Sequence, residues 1–234
     1  MPTLFFIVTP MIIFTVVLFI STALMPNNTN AQEKPLQESM VIYLAENMMP
    51  YDAPNSVTLG LSTKSNNRQV KVDGLSDGIV NQTVYYSLQA RSLFPWTDDI
   101  PEDVYMEYVV PFGVVNEPRV DYRSLFFDTL RDSLKHYERS EGNSTKSTQD
   151  QIKDVVKLIN THLWSLMGRD SKPIVFKASQ TPRIIDPLSV VAYGHASCTG
   201  LSIFLVSALR TIGIPARMAG TSAWNGDQNK GDHR

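Results

Sequence analysis

The sequence predicts two parts, of which the first is mainly helical. The second part is built around a long, almost wholly apolar helix that begins at the only cysteine. Three observations predict it. Apolar residues recur at three- and four-residue spacing over 125–134 and again over 152–166. The stretch ERSEGNSTKSTQ at 138–149 contains no apolar residue and reads as a linker or surface loop between the two parts. Residues 198–212 are apolar nearly all round, the mark of a helix buried on most sides.

The chain opens on an uncharged apolar stretch, residues 4–25, and Glu33 is the first charged side chain. Thr29 and Ala31 occupy the −3 and −1 positions of a cleavage site after Ala31, so residues 1–31 are read as a secretory signal peptide. The stretch is also long enough to stay uncleaved as a bilayer anchor. Either way the rest of the chain is expected to be secreted or extracytoplasmic, with membrane anchoring and membrane association as the alternative. The remaining composition is that of a globular protein, 43% hydrophobic and 19% charged. A net charge of −2 with no basic block argues against a nucleic-acid partner. Asn27, Asn81 and Asn143 each begin an Asn-x-Ser/Thr triplet, a glycosylation signal only in a eukaryotic secretory route.

The elements follow in order. PLQESMVIYLAENMM predicts a short helix, broken by PYDAPNS, and STKSNNRQ is polar turn chemistry. Residues 79–96 read as a helix that ends before Pro95, because the residue preceding a proline is biased away from helical angles. Leu125, Phe126, Thr129, Leu130 and Leu134 predict the next helix. The organisation is therefore a leader at 1–31, a helical region at 32–137, a linker at 138–147 and a core at 148–234. In the core, Thr148 and Gln151 have capping-box spacing. Ile152, Val155, Val156, Ile159, Leu163 and Leu166 continue as a helix that Gly168 ends. Residues 169–197, with prolines at 173, 182 and 187, read as irregular. GRDSK at 168–172 lacks the Gly-Lys-Ser/Thr ending of a phosphate loop.

Cys198 stands at the start of the apolar helix, where Ser197 and Thr199 are candidate caps. Gly213 fits the left-handed position after its end, and Pro215 stops it. Unpaired amides and the helix dipole favour a thiolate there, and the same amides bind an oxyanion. The competing reading is packing, since free cysteines are among the most buried residues. An exported chain with one cysteine has no internal disulfide framework, and its odd thiol invites a reactive role or an intermolecular bond.

The segment GHASCTGLSIFLVSALRTIGIPARMAGT resembles the core of the transglutaminase-like superfamily. Cys198, Ala208-Leu209-Arg210, Gly213 through Arg217 and Gly220 match its pattern, and the helix at 149–167 and the approach DPLSVVAYGHASC also fit. Trp224 and VVPFGVVNEPRVDYRS resemble an exported subgroup more loosely. The resemblance implies an α+β, papain-like fold in which the cysteine helix packs on an antiparallel sheet carrying a His and then an Asp. It also implies a strand after the Gly-Ile-Pro-Ala-Arg run. The chemistry it implies is attack of the Cys198 thiolate on an amide carbonyl of a protein or peptide substrate, with proton transfer by histidine and no metal or cofactor. Gln or peptide amide hydrolysis and acyl transfer through a thioester both remain open.

The sequence departs from the pattern at its end. The family places a His-x-Trp after the Trp-containing loop, whereas here the chain closes on WNGDQNKGDHR. His233 is the candidate base, and Trp164 the candidate transition-state stabiliser. A core aromatic is the alternative for Trp164. His195 reads as a solvent-facing turn residue, His162 as the polar side of its helix, His136 as a solvated helix end and Arg217 as structural. The expectation is a fragment cut ahead of the catalytic strand, with one bare apolar face on the Cys198 helix, poorly folded and inactive alone. A non-catalytic binding or scaffold module of the same fold is the second reading, and a membrane-anchored structural protein with an inert thiol the third.

Overall fold

The computed structural model describes residues 36–47, 49, 52, 78–139 and 146–220; the leader, Asn27, Asn143, Trp224 and His233 lie outside the described residues. The helices are α1 (Leu36–Glu46), α2 (Gly78–Leu93), α3 (Glu102–Tyr108), α4 (Arg123–Leu134), α5 (Thr148–Leu166), α6 (Pro187–Tyr193) and α7 (Cys198–Thr211). Two short strands, β1 (Val175–Phe176) and β2 (His195–Ala196), form a parallel pair. The fold is α+β, dominated by helices.

The expected helices form, with local corrections. α2 stops at Leu93, and Pro95–Thr97 continue as a 3-10 turn. On α4 the inward stripe is Phe126, Phe127, Leu130 and Leu134; Leu125, though in phase by spacing, is exposed. α5 is capped by Ser147, whose hydroxyl accepts from the Asp150 amide. Thr148 instead donates its hydroxyl to Asp99, and the Gln151 amide reaches back to the Lys146 carbonyl. α5 ends at Leu166, whose side chain is exposed. Gly168 answers a different need, because a Cβ there would sit 2.1 Å from the Lys172 carbonyl oxygen. That close approach lets Arg169 and Lys172 bridge across the tight turn at Asp170 and Ser171, both at positive φ.

The stretch 169–197 is more regular than its prolines suggest. Asp186 caps α6 by accepting from the Ser189 amide at 2.9 Å, and Pro187 occupies the first turn, where a missing N–H costs nothing. Gly194 closes α6 at φ 67°, and the chain passes straight into β2.

α7 is the hub. It packs against α2, α4, α5, α6 and β2, and every residue from Thr199 to Thr211 except Ser202 is buried. The bare apolar face expected from sequence is absent. Helices that precede the linker supply the cover: Phe126 meets Phe204 edge-on at 4.9 Å, and Tyr86, Phe94, Trp96 and Phe127 lie in the same cluster as Leu205, Leu209 and Ile212. Trp96 is wholly buried, stacks on Phe94 at 4.4 Å, and donates its indole N–H to the Ile212 carbonyl at 3.0 Å. That bond satisfies an acceptor the helix end leaves open. A second cluster joins α1, α2 and α3.

Two buried arginines lock the far end of α7. Arg123 donates to the Val109 carbonyl at 2.7 Å, and Arg210 donates to the Gly113 carbonyl at 2.7 Å and the Ala216 carbonyl at 2.9 Å. Burial pushes the Arg210 guanidinium down to about 10. The Ala216 amide in turn donates to the Tyr108 carbonyl, and Arg217 lies over the Tyr108 ring. Residues 214–220 are held this way without forming a strand, so the strand expected after Pro215 is not seen up to Gly220. Asn81 is buried in α2, so the folded protein has no room for a glycan there.

Candidate active site

Cys198 is the first residue of α7 and is half-buried, whereas Ser197 before it and Thr199 after it are buried. Ser197 organises the start of the helix. Its hydroxyl accepts from the Gly200 amide at 3.2 Å and donates to the Arg183 carbonyl at 2.5 Å, and its carbonyl accepts from the Leu201 amide at 2.9 Å. One serine thus caps the helix and ties it to the segment leading into α6. Ser202 donates its hydroxyl to the Cys198 carbonyl at 2.9 Å.

The first turn is pressed against its neighbours. A Cβ on Gly200 would lie 2.8 Å from the Ala196 Cβ and 3.2 Å from the Ile185 Cγ1, so only glycine fits without a shift. β2 is fixed in turn by β1: the Val175 amide donates to the Gly194 carbonyl at 3.0 Å and the Lys177 amide to the Ala196 carbonyl at 2.8 Å. The thiol therefore stands at a rigid junction of β2 and α7, at the positive end of a 14-residue buried helix. The half-buried thiol in that position remains partly accessible from outside.

His195 is not a turn residue. It pairs with Val175 in the strand ladder and is half-buried, with its ring 6.1 Å from that of Tyr193. His136 and His162 are exposed. His162 lines an open cleft with Ser133, Leu158, Ser165 and Leu166, and Cys198 does not line that cleft. His233, the candidate base, lies outside the described residues. Trp164 is half-buried against the core, its ring 6.0 Å from Phe204, with its indole N–H donated to the Asn160 carbonyl at 2.9 Å. Its backbone carbonyl accepts from Ile174, next to β1. Among the described residues no group of His, Cys, Asp and Glu is arranged to hold a metal ion.

Residues 138–233 match the family model of the transglutaminase-like superfamily. The chain carries a transglutaminase-like domain. No curated protein and no solved structure is matched. The transglutaminase-like domain takes in α5, α6, both strands and α7, and with them Cys198 and Trp164. Helices α1 to α4 lie outside the matched residues, although aromatic side chains of α2 and α4 fill the core around α7. The family is one of papain-like thiol enzymes. Sequence reasoning had no separate signal for Gly200 or Arg183, whose roles depend on neighbours across the fold. Asp186-Pro187 did carry a helix-start signal, an N-cap acid followed by proline at the first position.

Proposed function

We infer that Cys198 is the nucleophile of an exported transglutaminase-like thiol enzyme acting on amide carbonyls of a protein or peptide. The observation that carries this reading is the capped, rigid helix start that holds a half-exposed thiol at the positive end of α7. The thiolate sulfur attacks the carbonyl carbon, the C–N bond breaks, and the amine leaves with a proton delivered by the base. A thioester remains on Cys198. Water releases an acid from it, or a second amine forms a new amide; in both, the thiolate is regenerated. In this scheme His233 is the base and the first amides of α7 hold the oxyanion, the Trp164 indole N–H being committed to the Asn160 carbonyl. Residues 1–31 direct export, as a cleaved signal or as an anchor. Among the described residues no helix is long and apolar enough to cross a membrane.

The test is glutamine-amide and peptide-amide turnover by the purified full-length protein and its Cys198→Ala and His233→Ala variants. Loss of turnover and of the covalent acyl adduct in Cys198→Ala is the expected result. Turnover that survives Cys198→Ala refutes the reading. An inert wild-type protein that still binds peptide favours the scaffold module instead. Amino-terminal sequencing of protein recovered from the medium checks the leader, with Gln32 expected first.

A further inference from the structure

The segment leading to Cys198 carries mostly one sign of exposed charge, with Asp170 the acid just before it. Between residues 171 and 197 the exposed charged side chains are Lys172, Lys177 and Arg183, all basic, and the one acid in that span, Asp186, is buried beneath α6 as its cap. The whole chain carries a net charge of −2, so this excess is local. Two of the three are tied by their backbones to the residues just ahead of the thiol. The Lys177 amide donates to the Ala196 carbonyl at 2.8 Å, and the Arg183 carbonyl accepts from the Ser197 hydroxyl at 2.5 Å.

Arg119, Arg131, Lys135, Arg139, Lys146 and Lys153 all have carboxylate partners, whereas Lys172, Lys177 and Arg183 form no ion pair with any described residue. On the same edge stand two of the most exposed large apolar side chains, Val175 and Tyr193, linked through the bond from the Val175 amide to the Gly194 carbonyl. An apolar platform bordered by unpaired cations attracts and holds a chain segment of opposite charge.

We propose that the acyl donor attacked by Cys198 lies in an acidic peptide segment, with Asp or Glu side chains flanking the reacting amide and an apolar residue seated near Val175 and Tyr193. This rests on the reading of Cys198 as nucleophile. The carboxylates pair with Lys172, Lys177 and Arg183, and their attraction concentrates the donor at the thiol.

Because Cys198 is the sole cysteine, alkylation reports on this site alone. The experiment compares the rates of iodoacetate, an anion, and iodoacetamide, its neutral counterpart, on the full chain and on a short uncharged cysteine peptide. The expected iodoacetate-to-iodoacetamide ratio in about 10 mM salt is about fivefold above that of the peptide, falling to the peptide's ratio in about 0.5 M salt. Lys177→Glu with Arg183→Glu, both exposed and so harmless to folding, drops the low-salt ratio below the peptide's. A hexaglutamate peptide slows iodoacetamide alkylation, and a hexaserine peptide does not. A ratio equal to the peptide's in low salt, or no protection by hexaglutamate, overturns the acidic-donor proposal while a fast neutral reaction upholds the nucleophile. A thiol no faster than the peptide toward iodoacetamide overturns the nucleophile reading, and the proposal with it.

Discussion

Ser197→Ala removes two hydrogen bonds at the most consequential helix end in the protein. The hydroxyl caps α7 through the Gly200 amide and also satisfies the Arg183 carbonyl. Loss of an N-cap hydroxyl costs about 1 kcal/mol. Loss of a second, part-buried hydrogen bond costs up to about 1 kcal/mol more. Ser197 is only 3% exposed and its bond to the Gly200 amide is buried, so water does not readily replace the cap. The expected total is up to about 2 kcal/mol, which for a chain of this size lowers Tm by up to about 4–8 °C. Ser202→Ala is the control. It deletes a hydroxyl one turn later that bonds back to the Cys198 carbonyl, an interaction that adds little to a helix. Thermal unfolding by circular dichroism gives the stability, and iodoacetamide alkylation gives the chemistry. Ser197→Ala is expected to slow alkylation of Cys198, since a frayed first turn no longer aligns its amides on the thiol. A Tm loss no larger than that of Ser202→Ala, with an unchanged alkylation rate, would refute the claim that this cap organises the site.

Two further outcomes follow from the packing and charge around the same elements. Gly200→Ala places a Cβ against Ala196 and Ile185; overpacking costs about 1–3 kcal/mol, partly offset by about 1 kcal/mol of gained helix propensity. The urea midpoint is expected to fall, and adding Ala196→Gly to relieve the contact should give a favourable coupling in a double-mutant cycle, zero coupling being the contrary result. Burial raises the Asp121 carboxyl above its usual 3.8, an effect that the nearby Arg123 only partly offsets. A raised carboxylate opposes folding once it ionises: the penalty is absent below 3.8, grows as pH climbs through the raised value and is constant above it. Asp121→Asn should therefore be more stable than wild type at pH 7, with the gain vanishing below pH 3.8. An equal gain at both ends of that range contradicts the sign.

Much of the local structure was legible. The helical stripe of α5 and the apolar circumference of α7 showed in residue spacing, as did the stop signals Gly213 and Pro215. The cysteine at a helix start was equally readable, because capping chemistry is short-range. Errors arose where two signals competed within a few residues. Ser147 and Thr148 are both capping residues, and only the direction of the incoming chain, which leaves Thr148 facing Asp99, decides between them. α6 was hidden by reading Pro187 as a breaker rather than as the first residue of a helix capped by Asp186.

By itself, the sequence determined the longer helical segments, where the thiol stands on its helix, and the family that the surrounding motif marks. Only the tertiary structure decided what covers α7. Its apolar circumference requires burial but does not name the partner, since hydrophobic burial has no direction. Here the partners are Phe94, Trp96, Phe126 and Phe127, brought from beyond the linker. The same holds for the segment leading to Cys198. Lys177 and Arg183 are unremarkable in a list of residues, and hydrogen bonds to Ala196 and Ser197 bring their backbones beside the residues that precede the thiol.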